Sequence, residues 1–201
     1  MKPRRVAGAA AVTLLAVALA GCGTTPKTSY YTLAPGPVQP DAAQSAAQYT
    51  VAVGPVTLPD AVDRPQLVVR VATNQVALLD QHRWAEPLKS EIPRVIAGNL
   101  TQLLGMARVW AYPQNTGSDA DYRVRVDIVS FESAPGDSVT LGALWAVERK
   151  AAGEVRAGRS VIQLPAMGPD YAAVVAAHGR ALASLSEELG EVIRAMHAGN
   201  H

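Results

Sequence analysis

The sequence predicts an α/β fold: a compact two-layer domain, with a mostly antiparallel sheet of five to seven strands and two main helices on one face. Three observations lead there. Tyr122 to Phe131 alternates Tyr122, Val124, Val126 and Ile128 with Arg123, Arg125 and Asp127, one buried face and one wet face. Two long stretches carry apolar residues at helical spacing. The apolar stripe of a helix and the apolar face of a sheet each need a surface to cover, and stacking them in two layers satisfies both.

Along the chain, Tyr30 to Leu33 has strand composition, and Ala34 to Gln48, with Pro35, Pro37 and Pro40, reads as a loop. Val51 to Leu58 is a strand that Pro55 pushes toward a sheet edge or a bulge. Leu67 to Val71 and Val76 to Leu79 flank "ATNQ" as a hairpin. Leu88, Ile92, Val95, Ile96, Leu100, Leu103 and Leu104 then define a helix. Pro87 suits its first turn, Pro93 is expected to kink it or mark its true start, and Gly105 suits its end. Arg108 to Tyr112 is a short strand. Tyr122 to Phe131, Val139 to Val147 and Arg159 to Leu164 form an antiparallel meander. The last helix spans about Tyr171 to His197. Its stripe is Val175, His178, Leu182, Leu185, Leu189, Val192 and Met196, with most charges off it.

The N-terminus sets the compartment. Lys2, Arg4 and Arg5 precede an apolar run from Val6 to Ala20, of signal-peptide length and short of the roughly 20 residues a spanning helix needs. The run ends in Leu19-Ala20-Gly21-Cys22, which resembles a bacterial lipobox. The expected organisation is a signal peptide over 1–21, a lipidated tether over 22–29 and one domain over 30–201. Cys22 is the only Cys, so no internal disulfide is possible. It is expected to carry a covalent N-acyl diacylglycerol group and no other cofactor is called for. Three acyl chains, each contributing about 0.8 kcal/mol per buried methylene, attach a protein to a membrane durably. Residue 23 is Gly rather than the Asp that commonly retains such proteins in the inner membrane, so the periplasmic face of the outer membrane is the expected site.

The formal net charge of +1, with Lys and Arg scattered, gives no basic surface for nucleic acid. Searching for catalysis yields no candidate catalytic residue. His82, His178, His197 and His201 form no convincing ligand pair, and no metal site is expected. His178 falls on the apolar stripe and reads as a core residue. "GDSVTLG" over Gly136 to Gly142 reads as a turn into a strand, and no Gly-x-Ser-x-Gly elbow occurs.

The lipobox, "YYTL" at Tyr30 to Leu33 and "NQVALLDQHRWAEPLKSEIPRVIAGNL" at Asn74 to Leu100 together resemble the ABC-type transport auxiliary lipoprotein family, the PqiC/YmbA-like lipoproteins. The most specific part is Arg83-Trp84-Ala85-Glu86-Pro87-Leu88. The resemblance implies a compact α/β fold and a non-catalytic outer-membrane lipoprotein. Its implied partner is an inner-membrane-anchored MCE-domain protein, PqiB-like, whose stacked rings carry phospholipid or other apolar molecules across the periplasm. Because such partners are rings, a homo-oligomer is a further expectation. Two rival classes are an outer-membrane assembly or scaffold lipoprotein binding a β-barrel protein, and a lipidated hydrolase.

The dense polar block around one Trp has two readings, a partner-binding surface or a structural clasp joining strand to helix. Asn74 and Gln75 suit a turn, and Asp80 and Arg83 are placed to pair locally. Trp84 is expected to bury against sheet and helix together. Glu86 puts negative charge ahead of the helix, and Pro87 suits the clasp.

Overall fold

A computed structural model describes residues 27–37, 49–105, 108–112 and 119–199. The expected signal peptide over 1–21, Cys22 and most of the expected tether over 22–29 lie outside the described residues. Among the described residues, eight strands and two helices follow in the order β1 (Ser29–Tyr31), β2 (Thr50–Thr57), β3 (Gln66–Ala72), β4 (Gln75–Trp84), α1 (Leu88–Leu104), β5 (Arg108–Ala111), β6 (Tyr122–Ser133), β7 (Ser138–Arg149), β8 (Glu154–Pro165) and α2 (Tyr171–Ala198). The fold is the two-layer α/β class read from the sequence. Its strands divide into two mixed sheets, one of five in the order β5-β2-β6-β7-β8 and one of three in the order β1-β4-β3.

The β6–β7–β8 meander is antiparallel throughout, as its alternation predicts. Tyr122, Val124, Val126, Ile128 and Phe131 of β6 join Val139, Leu141, Ala143 and Val147 of β7 on the buried face. Both helices cover that face, α1 over β2 and β5 and α2 chiefly over β7 and β8. Every member of the α2 stripe from Val175 to Met196 is buried except Val192, which is half-buried. Asp170 caps α2 by accepting the Ala173 N–H at 2.8 Å, satisfying one orphan donor of the first turn. α1 begins at Leu88 and continues through Pro93, so Pro93 is not its start; Gly105 follows its last residue at φ +59°. Where the helices touch, Asn99 Nδ2 donates to Ser186 Oγ at 3.2 Å, and Ser186 in turn donates to the Leu182 carbonyl at 2.7 Å.

The placement of β2 departs from the edge reading of the sequence. β2 is not an edge strand: it lies between β5 and β6, parallel to both. The alternative outcome of Pro55 holds, because the β2–β6 register shifts between Val53 and Val56. Gly54 at φ +124° sits in that irregularity, a conformation open to Gly. The bulge absorbs the missing proline N–H inside the sheet.

The chain after β1 crosses both helices. Leu33 is buried and its N–H donates to Glu91 Oε1 at 2.9 Å. Pro35 lies against Gly98 of α1, and Gly36 sits so close to Ala183 of α2 that an added Cβ would approach its Cβ to 2.6 Å. The segment that follows the tether is therefore fastened to the core within a few residues of β1.

Candidate functional site

β4 carries most of the polar block, and its geometry divides that block in two. Asn74 stands in the β3–β4 turn and Gln75 begins β4, whereas Trp84 ends it. Ten residues of strand at about 3.3 Å each separate the ends by roughly 30 Å. Asn74 and Gln75 therefore cannot share a site with Arg83, Trp84, Glu86 and Pro87. Asp80 is exposed along the strand. Asp80 and Arg83 do not form the local pair expected of them. Three residues apart on a strand, their side chains leave on opposite faces, and the Nε of Arg83 is buried without a partner.

At the helix end, three segments meet. The Trp84 N–H donates to the Pro65 carbonyl at 2.7 Å, and the Ala85 N–H to the Tyr31 carbonyl at 2.8 Å. Lys89 bridges to Asp63 at 2.5 Å, tying the loop before β3 to the start of α1. Glu86 pairs with Arg94 on the exposed side of the same helix. Pro87 occupies the position before the first helical residue, and its carbonyl accepts from Ser90 at 2.9 Å and Glu91 at 3.1 Å. Trp84 is buried and lies tilted against Phe131 at 6.3 Å between ring centroids. Phe131 in turn stacks on His178 at 3.8 Å and 13°. The three rings link β4, β6 and α2 in one line through the core.

His178 is fully buried and its Nε2 lies 2.8 Å from Ser133 Oγ. Burial holds the imidazole down to about 3, so it is neutral at physiological pH. A Ser–His contact invites comparison with a nucleophile and its base. Here the His Nδ1 meets no carboxylate and has no partner at all, and a base near 3 is poorly matched to proton abstraction at pH 7. The pair is part of the core. Glu91 is buried with Oε2 unpartnered, and burial raises its pKa. Among the described residues no group of three His, Cys, Asp or Glu is placed to hold a metal, and no helix is long and apolar enough to cross a membrane.

Sequence reasoning did not find the Phe131–His178–Ser133 cluster, the Glu91–Leu33 bond or the Tyr31–His82 contact, where the hydroxyl lies 2.8 Å from Nδ1. Each joins residues 45 or more positions apart, and only His178 on the α2 stripe gave a local signal.

At the other end, the β3–β4 hairpin projects. Residues 71–76 are all exposed, and Val71, Val76 and Leu78 are about half exposed despite being apolar. Arg70 stiffens the tip, donating to the Thr73 carbonyl at 2.8 Å and bridging to Glu132 of β6 at 2.6 Å. Between hairpin and β6 runs a shallow groove of about 240 Å³ lined by Val62, Val68, Val76, Val129 and Phe131.

The comparisons with known proteins agree with this fold. A family model for the ABC-type transport auxiliary lipoprotein component matches residues 31–190, and the chain belongs to that family. Among solved structures, protein XCC0632 from Xanthomonas campestris, assigned to the family model DUF330, is similar at 19% identity and TM-score 0.69, over 86% of this chain and all of that one. An uncharacterized protein of known crystal structure is similar at 19% identity and TM-score 0.69, over 83% of this chain and 99% of that one. These two likenesses establish the fold alone. Comparison with curated proteins gives no match.

Proposed function

We propose that this chain is the outer-membrane-anchored lipoprotein subunit of a PqiABC-like MCE transport system, binding a PqiB-like MCE tunnel protein and supporting intermembrane lipid trafficking and envelope integrity. The observation that carries the reading is the family match over residues 31–190, together with a lipobox ending at Cys22. In this role the domain is a non-catalytic adaptor, and its buried Ser133–His178 pair is consistent with that. The test is co-purification of the acylated protein with the periplasmic region of the MCE partner. Retention of that partner is the expected result. A β-barrel protein retained in its place would overturn the reading.

Anchoring is a separable part of the proposal. Cys22→Ala is expected to leave an unprocessed precursor, since no other residue can form the thioether. Intact mass of membrane-extracted protein checks it, and a mature species without acyl mass would move the protein to the soluble periplasm.

Self-association, if a ring-shaped partner is to be met by several copies, needs a surface. β2, in the sheet interior, cannot supply an edge. β8 can: its 12 residues pair with β7 on one side and with no other described strand. Such an edge is a template for strand addition. Trp145 packs over Gly158 of β8, where an added Cβ would fall 2.3 Å from the indole, and its N–H donates to Ser160 at 2.9 Å. That indole stiffens the edge. Sedimentation with and without the MCE partner checks this, and a monomer in both cases would exclude it.

A further inference from the structure

We propose that the tip of the β3–β4 hairpin is a second membrane contact, inserting Val71, Val76 and Leu78 into the surface of the bilayer that holds the Cys22 lipid. The inference rests on the anchoring reading above and adds an orientation to it.

The direction of β1 carries the first step. β1 runs parallel to β4, with Ser29 opposite His82. The chain ahead of Ser29 therefore leaves in the direction of the start of β4, which is the hairpin tip. Thr28 continues that direction, its hydroxyl donating to Gln81 Oε1 at 2.9 Å. Chain length carries the second step. Cys22 lies seven residues before Ser29, and Gln75 lies seven residues before His82. Seven residues reach about 25 Å at most, and seven residues of strand span about 23 Å. The tether thus reaches about as far from β1 as the tip does, and with the tip pointing that way the hairpin is brought to the lipid surface.

The chemistry of the tip carries the third. From Gln66 to Leu79 the only charged residue is Arg70, and no acid occurs. Glu132 of β6 pairs with Arg70, so the tip presents apolar residues without net charge, which suits insertion at a headgroup boundary. By contrast, the exposed apolar residues on the outer face of the five-stranded sheet, Leu144 and Val161, stand among Arg125, Asp127, Glu148 and Arg159. The hairpin is the surface where the short tether and an apolar tip without net charge coincide among the described residues.

The test uses the mature acylated protein in vesicles of phosphatidylethanolamine and phosphatidylglycerol. With Cys22 acylated, Asn74→Cys supplies the only free thiol and takes an environment-sensitive fluorophore. Ala152→Cys, on the exposed turn between β7 and β8, is the reference. The expected result is a blue shift of the label at position 74 and loss of most of its emission to doxyl-labelled lipid, with position 152 unchanged. Protein that floats with vesicles and carries its acyl mass while position 74 stays in water overturns this inference alone. A label that responds only when the MCE partner is added assigns the tip to protein and also overturns it. Loss of flotation and of acyl mass defeats the anchoring reading itself, and this inference with it.

Discussion

Trp84→Ala is expected to lower the stability of the domain by about 3–5 kcal/mol, the usual cost of truncating a buried Trp. In a chain of this size that corresponds to a fall in melting temperature of roughly 6–20 °C. The cost is large because the indole is buried at a junction of elements rather than within one. It packs on Phe131, which stacks on His178, so its removal leaves a void between the small sheet, the large sheet and α2. The backbone bonds of Trp84 to Pro65 and of Ala85 to Tyr31 do not depend on the side chain, and β4 should persist in the variant, loosened at its end. Trp84→Phe is expected to recover much of the loss by filling part of the void. Thermal unfolding of wild type and both variants is the measurement. Unchanged stability combined with lost partner binding would make Trp84 a docking residue and defeat the clasp.

The parts of the fold that were legible in the sequence are those whose signal is local. The α2 stripe from Val175 to Met196 repeats every three or four residues and lies on the buried face. The β6 alternation holds from Tyr122 through Ile128. What was not legible depends on distant partners. No local pattern says that β1 pairs with β4 in parallel, or that β2 with its Pro55 is flanked on both sides. The apolar run from Val76 stops at Leu79, and "DQHR" after it is polar. The strand continues to Trp84 because β1 supplies a second neighbour there, opposite His82 to Trp84. The candidate site suffered from the same limit. Contiguity made Asn74 to Pro87 look like one block, while the rise of a strand separates its ends.

The second large effect follows from His178. Its protonation in the core is opposed by burial alone, with no neighbouring charge contributing. An ordinary His binds its proton near 6.5, and here the folded state does so only at about 3. The unfolded chain therefore binds more protons throughout that interval, and stability must fall as the pH falls. The stability tied to neutral His178 is complete above about 6.5 and declines steadily down to about 3. At roughly 1.36 kcal/mol per pH unit the loss is about 2.7 kcal/mol by pH 4.5 and about 5 kcal/mol at the lower limit. Glu91 works in the opposite sense, because burial raises its pKa and the folded state gains protons more readily than the unfolded one. The observed slope is accordingly the His178 contribution less that of Glu91. His178→Gln separates them: it keeps a polar atom for Ser133 and removes the titration. It is expected to be less stable than wild type at pH 7.5 but with a flatter profile between pH 6.5 and 4.5. Denaturant midpoints over that range decide the matter. Parallel profiles for the two proteins would mean that His178 does not titrate on unfolding as its burial requires. Convergence toward low pH is the outcome expected of an imidazole that the fold keeps neutral between Phe131 and Ser133, because wild type then loses an advantage the variant never had.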